Sequence, residues 1–244
     1  MTSTRLLLTA GVLSIFSQIA FCQDTYPAPA PLGDSENVPV IPVNPQTNPK
    51  RLFGILPNYK AINANQPFVP ITAKQKLSIA GKDAFDYPVF ATTAVYSGLY
   101  QLQNTNPTYG QGMAGYSKRY AAALVDQSVG NVLQEGIYPA LFHSDPRYFR
   151  LGSSGGSTGH RLRYALSRVV VTRTDRGTSQ FNFAEWAGAA TSVAGSNLYY
   201  DASSRTVVGN VQRLSMQVAG DALSNVLREF IPDWTSKRAK QNHK

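Results

Sequence analysis

The chain has 244 residues, of which 43% are hydrophobic and 15% are charged, and this composition excludes a wholly disordered protein. The formal net charge is +9, from 23 Lys and Arg residues against 14 Asp and Glu residues. The chain has one cysteine, which excludes an internal disulfide framework and a zinc site built from cysteines.

Residues 1–22 have the layout of a secretory signal peptide. Arg5 gives a basic start, residues 6–21 carry no charge, and Cys22 with the alanine two positions before it is typical of a cleavage site. The apolar stretch is shorter than the roughly 20 residues of a transmembrane helix. We therefore expect export to the periplasm or outer membrane, with the extracellular medium as an alternative. Two further alternatives are an uncleaved anchor and lipidation of Cys22, which the bulky neighbour Phe21 disfavours.

The segment after the signal peptide is a proline-rich linker over residues 23–50. Its prolines are Pro27, Pro29, Pro31, Pro39, Pro42, Pro45 and Pro49. Because proline fixes φ and lacks a backbone donor, we expect an extended, solvated chain here. Residues 51–71 regain Leu, Ile and Phe and predict an irregular arm packed on a helical domain over 72–234. A basic tail over 235–244 follows.

The helical domain is predicted to be a compact all-α bundle of about five or six helices. Thr72 can cap a first helix through Phe85, and Asp86 followed by Pro88 starts a second helix. A later start signal, Asn182 with Glu185, has the spacing of a capping box. The helices after the first are expected over 86–104, 114–138, 160–174, 183–199 and 205–230, with Pro139 and Pro232 ending two of them.

The stretch 168–183 allows a different structure, a short β-hairpin. A run of Val and Thr residues favours one strand, Asp-Arg-Gly favours a turn, and Thr-Ser-Gln-Phe-Asn-Phe favours a second strand. We expect the helix over 160–174 and keep the hairpin as the alternative.

Small residues are frequent on the predicted helices. Gly188 and Gly195 lie seven residues apart and hence on one helix face. Because glycine costs a helix about 1 kcal/mol relative to alanine, we expect close helix–helix approach at these positions.

The string His143-Ser-Asp-Pro-Arg-Tyr-Phe149 is the most distinctive candidate for chemistry. A histidine beside a carboxylate can act as a general base, so the sequence allows a hydrolase that uses His143 with Asp145 or Asp126. The structural alternative is that Asp145 starts a turn while His143 and Arg147 bond nearby carbonyls. With three histidines and no metal-binding motif, we expect neither a metal site nor a cofactor.

Asp126 lies among apolar residues on the long predicted helix, so we expect it to be buried and paired. Arg119 is two turns away on the same face, which favours a cationic partner from another helix. Asp221, Asn225 and Glu229 recur every four residues on the last helix. These groups favour an internal ion-pair network over acid–base catalysis.

An arginine cluster lies between residues 147 and 176, where seven arginines are opposed only by Asp175. Because a guanidinium group is a planar fork that suits phosphate and carboxylate, we expect an anion-binding surface. An exported protein meets phosphorylated envelope lipid or acidic polymer rather than nucleic acid. The candidate residues are Arg147, Arg150, Arg161, Arg163 and Arg168.

Four short strings resemble a family of uncharacterised exported bacterial proteins. They are Tyr109-Gly-Gln-Gly112, Gly115-Tyr-Ser-Lys-Arg-Tyr120, His143-Ser-Asp-Pro-Arg-Tyr-Phe149 and Asn197-Leu-Tyr-Tyr200. The resemblance covers residues 52–234 and implies secretion and a helical body. It implies no activity and no catalytic residues.

The sequence therefore predicts a non-enzymatic envelope protein whose helical domain presents arginines to anionic lipid or polymer, with peripheral membrane contact. One alternative is the hydrolase with His143. Another is a scaffold subunit of an envelope assembly, in contact with other envelope proteins.

Overall fold

The computed structural model describes residues 51–52, 56–57, 60–63 and 68–241. The predicted signal peptide and proline-rich linker lie outside the described residues, and so do the side chains of the basic tail. The described part of the chain forms a compact, mainly helical bundle with a few short strands, as the sequence predicts.

The helices follow one another along the chain with short connections. They are α1 Ala73–Ala84, α2 Tyr87–Leu102, α3 Gly112–Val132, α4 Tyr138–Leu141, α5 Thr158–Ser167, α6 Phe183–Ser196 and α7 Val207–Gln241. A π-helical segment, Leu133–Ile137, joins α3 to α4. Within the described residues, no helix combines the length and the apolar character that crossing a membrane requires.

Three helix starts agree with the sequence signals. Thr72 and Gln75 form a complete capping box on α1, and Asp86 accepts a hydrogen bond from the first amide of α2. Asn182 caps α6 by accepting from the Glu185 amide at 3.2 Å. In a complete capping box the Glu185 side chain would accept a hydrogen bond from the Asn182 backbone amide. That amide donates to the Val170 carbonyl at 2.8 Å instead. The Glu185 carboxyl is left to contact the interior.

Two prolines lie inside helices that the sequence predicts them to end. Pro139 follows the π-helical segment, where Tyr138 bonds back five residues to Leu133. The wider π turn accommodates the proline ring, which would clash with a carbonyl in a regular α-helix. Pro232 lies within α7, which continues to Gln241. A proline removes one backbone hydrogen bond, and the long helix retains the bonds on both sides.

The strands are short and belong to three small sheets. They are β1 Arg51–Leu52, β2 Leu56–Pro57, β3 Ala61–Asn63, β4 Ser144–Asp145, β5 Tyr148–Arg150, β6 Val171–Thr174 and β7 Ser179–Phe181. β1 pairs with β2, β3 runs parallel to β5, and β6 lies between β4 and β7 in an antiparallel sheet. The predicted irregular arm thus contributes a strand that is paired with the body.

The hairpin alternative for residues 168–183 is confirmed by β6 and β7, and the helix predicted over 160–174 is wrong after Ser167. The β-branched residues Val171, Thr172 and Thr174 favour a strand, which gains hydrogen bonds from β4 and β7 on its two edges. Gly177 has a φ of +84° and forms the turn between the strands.

The two glycines of α6 differ in their surroundings. A Cβ atom on Gly188 would lie 2.6 Å from Cγ of Gln134 and 3.0 Å from its backbone, whereas a Cβ on Gly195 would meet nothing within 4 Å. The predicted close helix approach is therefore confirmed at Gly188 and wrong at Gly195.

The interior of the bundle is unusually polar. Its apolar clusters are small, one around Tyr148 and Tyr164 and one around Val169 and Val218. The largest fully buried side chains are Arg119, Lys60, Lys76 and Glu229. Buried charges need partners, so ion pairs and hydrogen bonds hold much of this fold together.

Candidate functional site

Asp145 and Arg147 form a closed pair instead of an open catalytic group. The Asp145 side chain on β4 is fully buried. It accepts hydrogen bonds from the Arg147 amide at 3.0 Å and from the guanidinium at 2.6 and 2.9 Å. The same guanidinium also donates to the Val69 carbonyl. This predicted anion-binding arginine thus neutralises a carboxylate of its own chain.

His143 points away from Asp145 and into solvent. Its backbone adopts the left-handed conformation, with φ at +51°, and turns the chain from α4 into β4. The side chain is 86% exposed, and its Nδ1 atom lies 4.0 Å from a carboxylate oxygen of Asp175. The structure therefore does not bring His143, Asp145 and Asp126 together.

Asp126 lies on α3 and is held by two tyrosines. It accepts hydrogen bonds from the hydroxyl groups of Tyr199 and Tyr200. Burial raises the pKa of the Asp126 carboxyl, and these bonds, with Arg213, oppose the shift. The sequence predicts that a cationic side chain from another helix pairs with Asp126. The described hydrogen bonds to its carboxyl come from tyrosines, so this prediction is wrong for a direct ion pair. Arg119 instead donates to the carbonyls of a turn, and these belong to Thr105, Asn106 and Gly110.

Glu229 is the centre of a buried cluster of charged and polar groups. Its carboxylate accepts from Arg161 at 2.7 Å, from the Tyr148 hydroxyl at 2.9 Å, and from the amides of Leu151 and Gly152 at 3.1 and 3.0 Å. Four donors on one buried carboxylate form the internal network that the spacing on the last helix suggested.

Two more predicted anion-binding arginines belong to this cluster. Arg161 pairs with Glu229 and with Asp233, the second at 2.7 Å. Arg150 also pairs with Asp233 and donates to the Glu229 carbonyl at 3.0 Å. Their guanidinium groups therefore face the interior, and the arginine surface expected from the sequence is not assembled as predicted.

The last two candidates, Arg163 and Arg168, have different environments. Arg163 on α5 is exposed to solvent. Arg168 is half-buried, and its guanidinium lies over the Tyr164 ring at 4.3 Å. Its Nε atom is buried and has no hydrogen-bond partner among the described residues. Only Arg163 of the five predicted arginines is freely available to an external anion.

Two buried lysines were not singled out from the sequence. Lys60 pairs with Asp83 at 2.6 Å and with Glu135. Burial raises the pKa of Asp83, but Lys60 and then Arg228 outweigh that effect and hold the pKa at about 2. Lys76 bonds both oxygens of Asp175 at 2.7 Å. Lys76 and Asp83 lie seven residues apart on one face of α1. This spacing is the signal that could have revealed buried Lys76 and the acid that pairs with Lys60.

Three carboxyl groups meet near the π-helical segment. Burial and then Asp83 raise the pKa of Glu135 to about 8, and burial and then Asp221 raise the pKa of Glu185 well above its usual value. Glu185 and Asp221 hydrogen bond to each other, so one of them holds a proton. Gln134 donates to both, at 2.9 and 3.2 Å.

A polar cavity of about 70 Å³ adjoins these acids. Both signs of charge line it, including Glu135, Glu185, Arg168 and Arg228. Among the described residues, no group of three or more His, Cys, Asp or Glu side chains is arranged to hold a metal ion. The cavity is large enough for several ordered water molecules, which would satisfy its polar lining.

The exposed charges of the described residues are mainly cationic. Over residues 60–62 and 68–234, whose side chains the structure describes, Asp201 reaches the surface beside Arg205, and the other Asp and Glu side chains are buried or half-buried. The exposed cationic side chains are Lys74, Lys82, Lys118, Arg163, Arg176 and Arg205. Large apolar side chains are exposed as well, including Phe85, Leu102 and Met113. The candidate functional site is therefore this basic and apolar outer surface.

Comparisons with protein-family models, with curated proteins and with solved structures found no match. The resemblance to exported bacterial proteins stays a prediction. Function has to be inferred from the chemistry of the fold.

Proposed function

We propose that the chain is a non-enzymatic protein of the cell envelope whose folded domain binds anionic lipid or polymer through its basic and apolar outer surface. The observation that supports this is the excess of exposed cations, since six Lys and Arg side chains are exposed while the carboxylates other than Asp201 are buried or half-buried. The binding residues differ from those expected from the sequence, since Arg147, Arg150 and Arg161 pair within the fold.

The electrostatic contribution can be estimated from the exposed cations. A Lys or Arg near an anionic bilayer contributes about 1 kcal/mol of attraction. Four such residues, Lys82, Lys118, Arg163 and Arg176, are exposed on different elements of the fold. Those that reach the bilayer together would give strong but salt-sensitive binding, because screening shortens the range of the attraction to about 10 Å at 0.1 M salt.

Vesicle flotation tests the proposal. The protein should float with vesicles of phosphatidylcholine and phosphatidylglycerol, fail to float with pure phosphatidylcholine, and dissociate as salt rises. Changing Lys82, Lys118, Arg163 and Arg176 to glutamine should weaken binding by about fivefold per residue that contacts the bilayer. Changing Lys82 and Lys118 to arginine is the matched control and should preserve binding. Equal binding to neutral vesicles, or none to either kind, would refute the proposal.

The exposed apolar side chains support a second candidate, a scaffold subunit of an envelope assembly. Contiguous apolar surface above a few hundred Å² marks interaction sites on soluble proteins. Phe183 and Phe181 are exposed aromatic side chains, and the Phe183 ring contacts those of Phe142 and Phe181 with centroids 6.0 and 4.9 Å apart. A concentration-dependent mass in light scattering, without vesicles, would favour this candidate. The hydrolase alternative gains no support, since His143 is exposed and Asp145 is occupied by Arg147.

A further inference from the structure

Helix α2 has an uncharged sequence on the surface of a charged protein. Its 16 residues, Tyr87–Leu102, read YPVFATTAVYSGLYQL and include no Asp, Glu, Lys or Arg. At a rise of about 1.5 Å per residue the helix is roughly 24 Å long. A surface helix of a water-soluble protein normally places charged residues on its outer side, so this composition calls for a physical reason.

The helix is oriented with its more polar side inward. The buried residues Val89, Thr93 and Ser97 recur every four residues and form one face, of which two members bear hydroxyl groups. The opposite face carries Val95 and Leu102, which are 64% and 84% exposed, together with Leu99. An amphipathic helix that packs by the hydrophobic effect alone would have the reverse orientation.

The outer face of α2 can leave water without losing a hydrogen bond. At the edge of this face the Thr92 hydroxyl donates to the Pro88 carbonyl at 2.9 Å within the helix, and Tyr87, which is 39% exposed, begins the helix. The backbone groups of the helix bond to one another. The side chains of Ala91, Val95, Leu99 and Leu102 are apolar, so removing them from water creates no unsatisfied polar atom in these four side chains, which is the condition for contact with hydrocarbon.

The surroundings of α2 are complementary to an anionic bilayer. Lys82 on α1 and Lys118 on α3 are exposed on the helices before and after α2 in the chain, and α3 is bound to α2 through Tyr116, which donates to the Ala94 carbonyl at 3.1 Å. The nearest acid, Asp86, is buried at the helix start. Exposed Phe85 lies just before α2 in the chain, and exposed Met113 follows it on α3.

We propose that the outer face of α2, formed by Ala91, Val95, Leu99 and Leu102, inserts into the acyl boundary of an anionic phospholipid bilayer, with the helix lying in the plane of the membrane. This inference rests on the proposed function and adds to it the element that enters the lipid. An interfacial helix of this kind gains affinity from buried apolar area and from charge attraction together.

The test compares residues with equal exposure on different helices. Leu99 on α2 and Leu162 on α5 are both 40% exposed. Leu99→Asn should lower the partition coefficient onto phosphatidylcholine–phosphatidylglycerol vesicles about tenfold, and Leu162→Asn by less than twofold. Any leader on the purified chain is common to all variants, so the differences do not depend on it. Val95→Asn and Val208→Asn, at 64% and 69% exposure, form a second pair in case one variant fails to fold.

A fluorescent reporter gives an independent measurement. In a Cys22→Ser background, an environment-sensitive dye on Val95→Cys should shift to the blue on vesicles, and the same dye on Val208→Cys should not. If the protein floats but α2 variants behave like their controls, insertion through α2 is refuted while the proposed function stands. If the unsubstituted protein does not float, both are refuted. If Leu99→Asn instead dissolves a dimer seen without vesicles, a second copy occupies this face and the inference is wrong.

Discussion

Substitution of Glu229 by glutamine should destabilise the protein severely. The carboxylate is fully buried, and each of its oxygens accepts two hydrogen bonds. In the Glu229→Gln variant one oxygen becomes an NH₂ group that faces two donors, and Arg161 loses a buried counter-charge. Removing one partner of a buried ion pair costs about 3–5 kcal/mol. That loss is a large part of the 5–15 kcal/mol by which domains are typically stable.

Two milder substitutions calibrate the effect. Tyr148→Phe removes one hydroxyl donor to the Glu229 carboxylate and should cost about 1.5–3 kcal/mol. Asp233→Asn removes the outer acid of the same cluster, whose side chain is 16% exposed and in contact with water. Because Arg150 and Arg161 keep their bonds to the Glu229 residue, this variant should cost about 1–2 kcal/mol.

Urea unfolding followed by circular dichroism measures these differences. The slope of the free energy of unfolding against urea should stay constant, so that the midpoint reports stability alone. The expected order of loss is Glu229→Gln, then Tyr148→Phe, then Asp233→Asn. A Glu229→Gln variant as stable as Asp233→Asn, or within 1 kcal/mol of the unsubstituted protein, would show that this cluster does not hold the fold together.

Two further predictions concern pH and packing. The folded protein holds protons on Glu135, whose pKa is about 8, and on the Glu185–Asp221 pair, while an unfolded Glu releases its proton near its ordinary pKa of 4.5. Stability should therefore be greatest near pH 5 and fall toward about pH 8, and Glu135→Gln should flatten this dependence; a urea midpoint that rises over this range would contradict the assignment. Gly188→Ala should lower the melting temperature through overlap with Gln134, at a cost of about 1–3 kcal/mol. The control Gly195→Ala, in open space on the same helix, should raise stability by up to about 1 kcal/mol, and equal effects would refute the close approach.

The helix boundaries were predictable wherever a local signal sets them. Thr72, Asp86 and Asn182 begin helices because their side chains bond to amides one or three residues away. The β-branched run before Gly177 indicated a strand for the same local reason. Pro139 and Pro232 misled the prediction, because a π segment or a long helix can absorb the single bond that proline removes.

The sequence did not predict which charged side chains point into the fold, because counting the charges within one segment misses partners from distant segments. The arginines between 147 and 176 face one acid in their own segment, yet Arg150 and Arg161 pair with Glu229 and Asp233, about seventy to eighty residues later in the chain. The adjacent Lys76 and Leu77 show the same effect. Hydrophobicity alone would bury Leu77, but Lys76 is buried because Asp175 and the Pro139 carbonyl meet it.

Because most carboxylates point into the fold, the folded and unfolded states should differ in their affinity for a negatively charged surface. An unfolded chain displays its acidic and basic groups together, and much of their attraction for outside ions cancels. Folding buries most of the acids and leaves six cations exposed, so affinity for a negative surface would be acquired with the native state. A substitution that opens the cluster around Glu229 should therefore weaken binding to a negative surface, although the Glu229 carboxylate itself is fully buried.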